Sequence, residues 1–292
     1  TDNDYMNGIA IKNRVIVFDK VDNTLYVLNR GSLSVVISSY GILGSGSTNF
    51  NTVNQFCIVQ QGFDYLIFLT DNFNDKVVTL KFSRDRLFFV NSFGELGRGS
   101  TNFFSPSGIT ADKVHVWVLD DGNSKIKKFT HKWKLVSEQS ISENTIGQGT
   151  MQNDSEYLYA AYNVIANKPY FQDVTLERRN KGDSSLIQKI ILRPEEDLSQ
   201  STYTLSGDFG LLGKFLYIGF SRDLATTGTH YIQKLLKLGF GLSDEIETDQ
   251  TQFSVFADAQ PYEPETESIK LNLEVRDSRY IHFRLYGEEL DS

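Results

Sequence analysis

The residues that could do chemistry in this 292-residue chain are few and scattered. The four histidines, His115, His131, His230 and His282, share no metal-ligand spacing, so each reads as a core or surface histidine. Cys57 is the sole cysteine, which excludes an intrachain disulfide and a thiolate zinc site. There is no Gly-x-Ser-x-Gly elbow and no His-Glu-x-x-His helix. Carboxylates are the remaining candidates. Asp19, Asp112, Asp208 and Glu274 fall in or beside segments expected to be innermost strands, and oxygen ligands of that kind suit calcium. The competing reading makes them turn residues or solvated rim charges. "DNFND" (Asp71–Asp75) and "DDGN" (Asp120–Asn123) resemble calcium loops in composition, but they lack the EF-hand spacing and sit where hairpin turns are expected.

Two glycine-rich phrases raise a second possibility. "YGILGSGSTNF" (Tyr40–Phe50) and "FGELGRGSTNF" (Phe93–Phe103) are near copies. A phosphate loop would end in Gly-Lys-Ser/Thr and lie between a strand and a helix, and neither copy does. They read instead as joints, where residues without a Cβ let the chain turn sharply between repeated units. Phe50 and Phe103 are expected to plug the gap between those units. "IGQGTMQND" (Ile146–Asp154) is a third, worn copy.

Charge marks two more stretches. "KIKKFTHKWK" (Lys125–Lys134) mixes lysines with aromatics, and on an acidic chain it reads as a solvated sheet edge, where lysine discourages edge pairing. Residues 243–268 are rich in Asp, Glu, Gln and Pro and are expected to form an acidic surface insertion. Asp244, Glu245, Glu247, Tyr262, Glu263 and Glu265 are its candidate partner-binding residues, because surface loops on rigid scaffolds carry function. Asn153–Ser155 is a glycosylation sequon.

The elements that must position these residues are strands. Six segments share one pattern: Thr24–Arg30, Tyr65–Asp71, Val114–Asp121, Tyr157–Asn163, Phe215–Arg222 and Tyr280–Tyr286. Each is a short apolar or aromatic run that fits a strand buried on both faces. Most precede a polar turn and a second strand. Neighbouring segments are roughly 40 to 65 residues apart, the range of four-stranded propeller blades. Leu25, Leu66, Val116, Leu158, Leu216 and Ile281 form an aliphatic set. The next positions, Tyr26, Ile67, Trp117, Tyr159, Tyr217 and His282, are mostly large and aromatic. Stacked sheets would cover both faces.

Gly94–Phe129 resembles the NHL repeat of β-propeller proteins. Phe103, Pro106, Gly108, Ile109, Asp120 and Asn123 stand at the places where that family has a phenylalanine, a Pro-x-Gly-Ile inner strand and an Asp-x-x-Asn hairpin. The resemblance covers residues 40–135. It implies an all-β fold, a single closed propeller of about six four-stranded blades spanning residues 1–292. "NGIAIKNRVIVFD" (Asn7–Asp19) is expected to complete the last blade beside the C-terminal strand, removing open sheet edges. The expected function is a non-catalytic binding or assembly module without a cofactor, offering a rigid face to a protein or glycan partner. The alternative is a six-bladed propeller hydrolase or lyase with a divalent metal, calcium, on its axis.

Composition sets the outer limits. The chain is 40% hydrophobic and 13% aromatic, enough for a large core, and has only 5 prolines. A net charge of -8 repels nucleic acid and anionic membrane surfaces unless a local basic patch overrides it. No apolar run is long enough to span a bilayer, and the start at Thr1 shows no secretory leader pattern. An extracellular, cell-surface or virion setting is expected ahead of a cytoplasmic one.

Overall fold

The computed structural model describes residues 7–141, 145, 149–165, 172–193, 201–205, 210–212, 215–224, 232–239, 252–257, 266–277 and 280–286, with backbone alone beyond residue 189. The chain divides into two compact units, Thr1–Asn153 and Asp154–Ser292.

Unit 1 consists of antiparallel meanders. β1 (Asn7–Ile11), β2 (Arg14–Asp19), β3 (Thr24–Asn29) and β4 (Ser32–Tyr40) form the first sheet in sequence order. β5 (Val53–Gln61), β6 (Asp64–Asp71), β7 (Lys76–Ser83) and β8 (Arg86–Phe93) form the second. β9 (Pro106–Ala111), β10 (His115–Asp120), β11 (Lys125–Thr130) and β12 (Leu135–Ser140) form the third, and β13 (Thr150–Asn153) packs on β9. These are consecutive propeller blades. Antiparallel order gives each blade two ends. The turns β1–β2 and β3–β4, with their equivalents, lie at one end, here the turn end. The turns β2–β3, β6–β7 and β10–β11 lie at the other, the loop end, together with the long connections from one blade to the next.

The strands are covered on both faces as expected, but the aliphatic and aromatic sets are out of register: Leu25 lies on the third strand of its sheet and shares a core with Ile67, while Leu66 packs with Val116. Ile67, Leu69, Val78 and Leu80 of the second sheet join Ile16, Phe18, Leu25 and Val27 of the first in one core. From the opposite face of that second sheet, Phe68, Val77 and Val59 join Ile109, Val116, Val118 and Phe129 of the third. Successive side chains of a strand point to opposite faces, so the middle sheet needs apolar residues at nearly every position. Trp117 is fully buried on β10, with the Lys128 ammonium 5.2 Å from its ring centre.

Unit 2 departs from the blade pattern. Its strands are β14 (Tyr157–Ile165), β15 (Gln172–Asn180), β16 (Leu186–Arg193), β17 (Ser201–Leu205), β18 (Gly210–Leu212), β19 (Phe215–Leu224), β20 (Ile232–Gly239), β21 (Gln252–Ala257), β22 (Thr266–Asp277) and β23 (Tyr280–Tyr286). They join one sheet in the order β14-β15-β16-β23-β22-β21-β20-β19-β17, with β18 paired to β19. Within it Glu177 is fully buried, taking a hydrogen bond from the Tyr162 hydroxyl at 2.8 Å and an ion pair from Arg179 at 2.6 Å.

Two expectations are corrected. Among the described residues there are four sheets rather than six blades. The later apolar segments do form strands, but β23 pairs in parallel with β16 on one side and antiparallel with β22 on the other, fusing what spacing alone would divide. This is the part of the chain without a full glycine phrase to turn it out of one sheet and into the next. The N-terminal strands also do not close the last blade. β1 pairs with β2 and β2 with β3, completing the first sheet. The short turns at Lys12–Asn13 and Lys20–Asn23 make that local pairing cheap in loop entropy, whereas joining the termini would close the whole chain.

Candidate partner-binding face

The glycine phrases build the loop end. Gly41 has φ 112° and Gly94 has φ 99°, both in the left-handed region. A Cβ on Gly41 would lie 2.3 Å from the Phe50 ring, and one on Gly94 would lie 2.3 Å from the Phe103 ring. Phe50 and Phe103 are fully buried, so each phenylalanine plugs its joint against a glycine that must lack a side chain. Leu43 bridges Phe50, and Leu96 bridges Phe103, in the same parallel geometry.

A buried polar set, repeated in both copies, locks each loop. Asp71 Oδ1 accepts from Asn51 N–H at 2.8 Å, and Asp120 Oδ1 accepts from Phe104 N–H at 2.7 Å. Asn74 donates to Asp71 and to Gly44 O at 2.8 and 2.9 Å, and Asn123 donates to Asp120 and Gly97 O, both at 2.8 Å. Lys76 donates to Gly46 O and Asn49 O, and Lys127 donates to Gly99 O and Asn102 O. Burial raises the Asp71 and Asp120 carboxyls, while their hydrogen bonds and the neighbouring lysines pull them down. "DNFND" and "DDGN" are therefore hairpin turns whose carboxylates hold loop backbone. The reading of residues 125–134 as a solvated edge fails at Lys127 and Lys128, which are buried, and holds at Lys132 and Lys134, which are exposed.

These anchored loops project apolar side chains into solvent. Ile42, Leu43 and Leu96 are each about two-thirds exposed, as are Val21 and Phe73, and Phe104 is exposed as well. Hydrogen bonds connect their positions across the blades. Asn74 ties the Phe73 turn to Gly44, next to Leu43. Asp75 of the same turn accepts from Ser105 N–H at 2.7 Å, next to Phe104. Phe104 O in turn accepts from Gly122 N–H at 2.8 Å. Exposed apolar side chains grouped on a rigid support mark a docking surface.

Two of the proposed metal ligands, Asp19 and Asp112, are separated within unit 1. Asp19 lies at the loop end, its Oδ1 accepting from Val21 N–H at 2.8 Å. Asp112 lies at the turn end, its Oδ1 accepting from Val114 and His115 N–H, both at 2.8 Å. Both are turn-forming residues at opposite ends of their sheets. Asp208 lies outside the described residues. Glu274 lies on β22 in register with His282 of β23. Among the described residues no group of three or more His, Cys, Asp or Glu could hold a metal ion. Where inner strands meet, the buried group is a carboxamide. Gln55 of β5 accepts from Ile109 N–H of β9 at 2.7 Å and from Met151 N–H of β13 at 2.9 Å, and donates to Met151 O at 2.9 Å. Sequence gave no sign of this role, because a lone glutamine in a strand carries no spacing signal. Asp244, Glu245, Glu247, Tyr262, Glu263 and Glu265 all lie outside the described residues. Among the described residues no helix is long and apolar enough to cross a membrane.

No family model matches the chain, and no curated protein matches it. Solved structures with a similar course include a protein of unknown function from Bacteroides caccae, at 10% identity and TM-score 0.48, covering 78% of this chain and 74% of that one. The Cellvibrio cellulosa α-L-arabinanase bound to arabinohexaose is similar at 13% identity and TM-score 0.46, over 81% and 92% of the two chains. Kluyveromyces lactis Hsv2 is similar at 8% identity and TM-score 0.45, over 97% and 84%. Likeness at this level assigns neither ligand nor activity to this chain.

Proposed function

We propose that the chain is an NHL-like binding and assembly module whose loop end docks a protein partner. The observation that carries this reading is the apolar group Leu43, Phe73, Leu96 and Phe104, exposed on loops whose backbone is fixed by buried Asp, Asn and Lys side chains. A loop already held in place loses little freedom on binding, so its apolar contacts convert more fully into affinity. A glycan is the second partner class. An extracellular, cell-surface or virion setting suits such a module.

The test is partner capture with three proteins: wild type, the loop-end variant Leu43→Asp/Leu96→Asp, and the rim control Val136→Ser. A partner held by wild type and control but lost by the loop-end variant, at matched melting temperature, supports the reading. Retention by all three would retire it. The axial-metal hydrolase is tested separately, by metal analysis and melting with a chelator. A stoichiometric divalent ion whose removal lowers the melting temperature would favour that alternative.

A further inference from the structure

The turn end of unit 1 differs in charge from the rest of an acidic chain. The first blade carries exposed Lys12 and Arg30 there, and the second carries exposed Arg84 and Arg86. The third adds exposed Lys113, Lys132 and Lys134. Among the described residues of unit 1 three carboxylates share this end, and each is engaged. Asp85 takes a two-pronged contact from Arg14 at 2.7 and 2.9 Å, which also ties the first blade to the second. Asp64 pairs with Lys81 at 2.6 Å, and Asp112 is committed to its own turn. The exposed cations therefore outnumber the carboxylates. Two apolar side chains stand among them. Phe63, at the tip of the β5–β6 turn, is 99% exposed, and Val114, in the β9–β10 turn, is 59% exposed.

We infer that this end is a peripheral membrane-binding surface for anionic lipid headgroups, with Phe63 entering the interface. Two arguments select a bilayer over other polyanions. The cations ride on five separate turns rather than lining a groove that could follow a nucleic-acid strand. Anionic lipids diffuse in the plane of the membrane and can gather beneath such a pattern. Secondly, exposed apolar tips among cations, Phe63 above all, match the layered chemistry of a membrane surface, phosphate outside and hydrocarbon within. The net charge of -8 does not prevent this, because salt screens charges beyond roughly 8–10 Å and the lipid meets this end alone. The surface is distinct from the loop end and does not depend on the reading given to it.

The experiment is sedimentation of the full chain with phosphatidylcholine vesicles and with vesicles that also contain phosphatidylserine. Binding is expected only to the second kind and should weaken as salt is raised. Lys113→Gln should lower the partition coefficient about fivefold, the share of one surface cation. Arg84→Glu/Lys132→Glu should abolish binding, and Phe63→Ser should lower it about tenfold. All of these positions are exposed, and melting curves check that the variants fold. The loop-end variant Leu43→Asp/Leu96→Asp should bind vesicles as wild type does. No binding to phosphatidylserine vesicles, equal binding to both kinds, or full binding by Arg84→Glu/Lys132→Glu would overturn the inference. So would binding to single-stranded RNA or heparin without binding to vesicles.

Discussion

Lys127 and Asp120 form a fully buried ion pair, 2.7 Å apart, inside the third blade. In the second blade the same task falls to Lys76, 3.5 Å from Asp71. Counted from the hairpin, Lys127 stands two residues further along its strand than Lys76. A shift of two keeps a side chain on the same face, so both ammonium groups reach the equivalent loop carbonyls. Removing one partner leaves the other charge buried and unpaired. Asp120→Ala should therefore cost about 3–5 kcal/mol in urea unfolding. The exposed Arg14–Asp85 bridge serves as a contrast, and Asp85→Ala should change stability little.

Gly94→Ala should destabilise the second joint by about 1–3 kcal/mol, because the new methyl group adds backbone strain at positive φ to a clash with Phe103. The double variant Gly94→Ala/Phe103→Leu separates these causes. It should recover the steric part and keep the backbone part. Thermal melting of both variants, of wild type and of Phe103→Leu alone closes the cycle, and zero coupling between the two positions would show that the ring clash contributes nothing.

Asp121 is 1% exposed, and burial raises its carboxyl above the ordinary value. The folded chain thus holds this proton to higher pH than the unfolded chain does. The resulting stabilisation is complete below the unfolded carboxyl range, near about 3.9, and is lost as pH rises through the folded value. The equivalent residue in the second blade is Asn72, which is neutral at every pH. Asp121→Asn should raise stability at neutral pH by about 1–3 kcal/mol, the scale of an uncompensated buried group. The gain should shrink towards zero as the pH is lowered towards 4. Melting both proteins across that range measures the difference, and a gain independent of pH would refute the assignment.

Gln55→Met keeps the volume but leaves two amide hydrogens without their acceptor. The cost should be about 2–6 kcal/mol, counting roughly 1–3 for each unsatisfied group. Hydrogen exchange should accelerate at Ile109 and Met151 while the outer strand β12 keeps its native rate.

Local chemistry decided much of this protein, and that part was open to reading from the sequence. The copies at Tyr40–Phe50 and Phe93–Phe103 announce glycine joints plugged by phenylalanine, because positive φ and a missing Cβ are properties of the residue itself. Apolar runs such as Val114–Asp121 announce strands covered on both faces, because side-chain direction has a period of two. What each strand pairs with is a different kind of question. β23 could have met β1 or β16 by its apolar pattern, and only the assembled sheet shows that it lies between β16 and β22. Likewise Asp19 and Asp112 look alike in sequence, yet the antiparallel course of the chain sends them to opposite ends of their sheets. The basic turn end is equally a product of folding. Lys12, Arg84 and Lys132 are far apart along the chain, and antiparallel connections carry them to one surface. Backbone geometry is local to a few residues, whereas strand partners and surface charge depend on contacts between residues many positions apart.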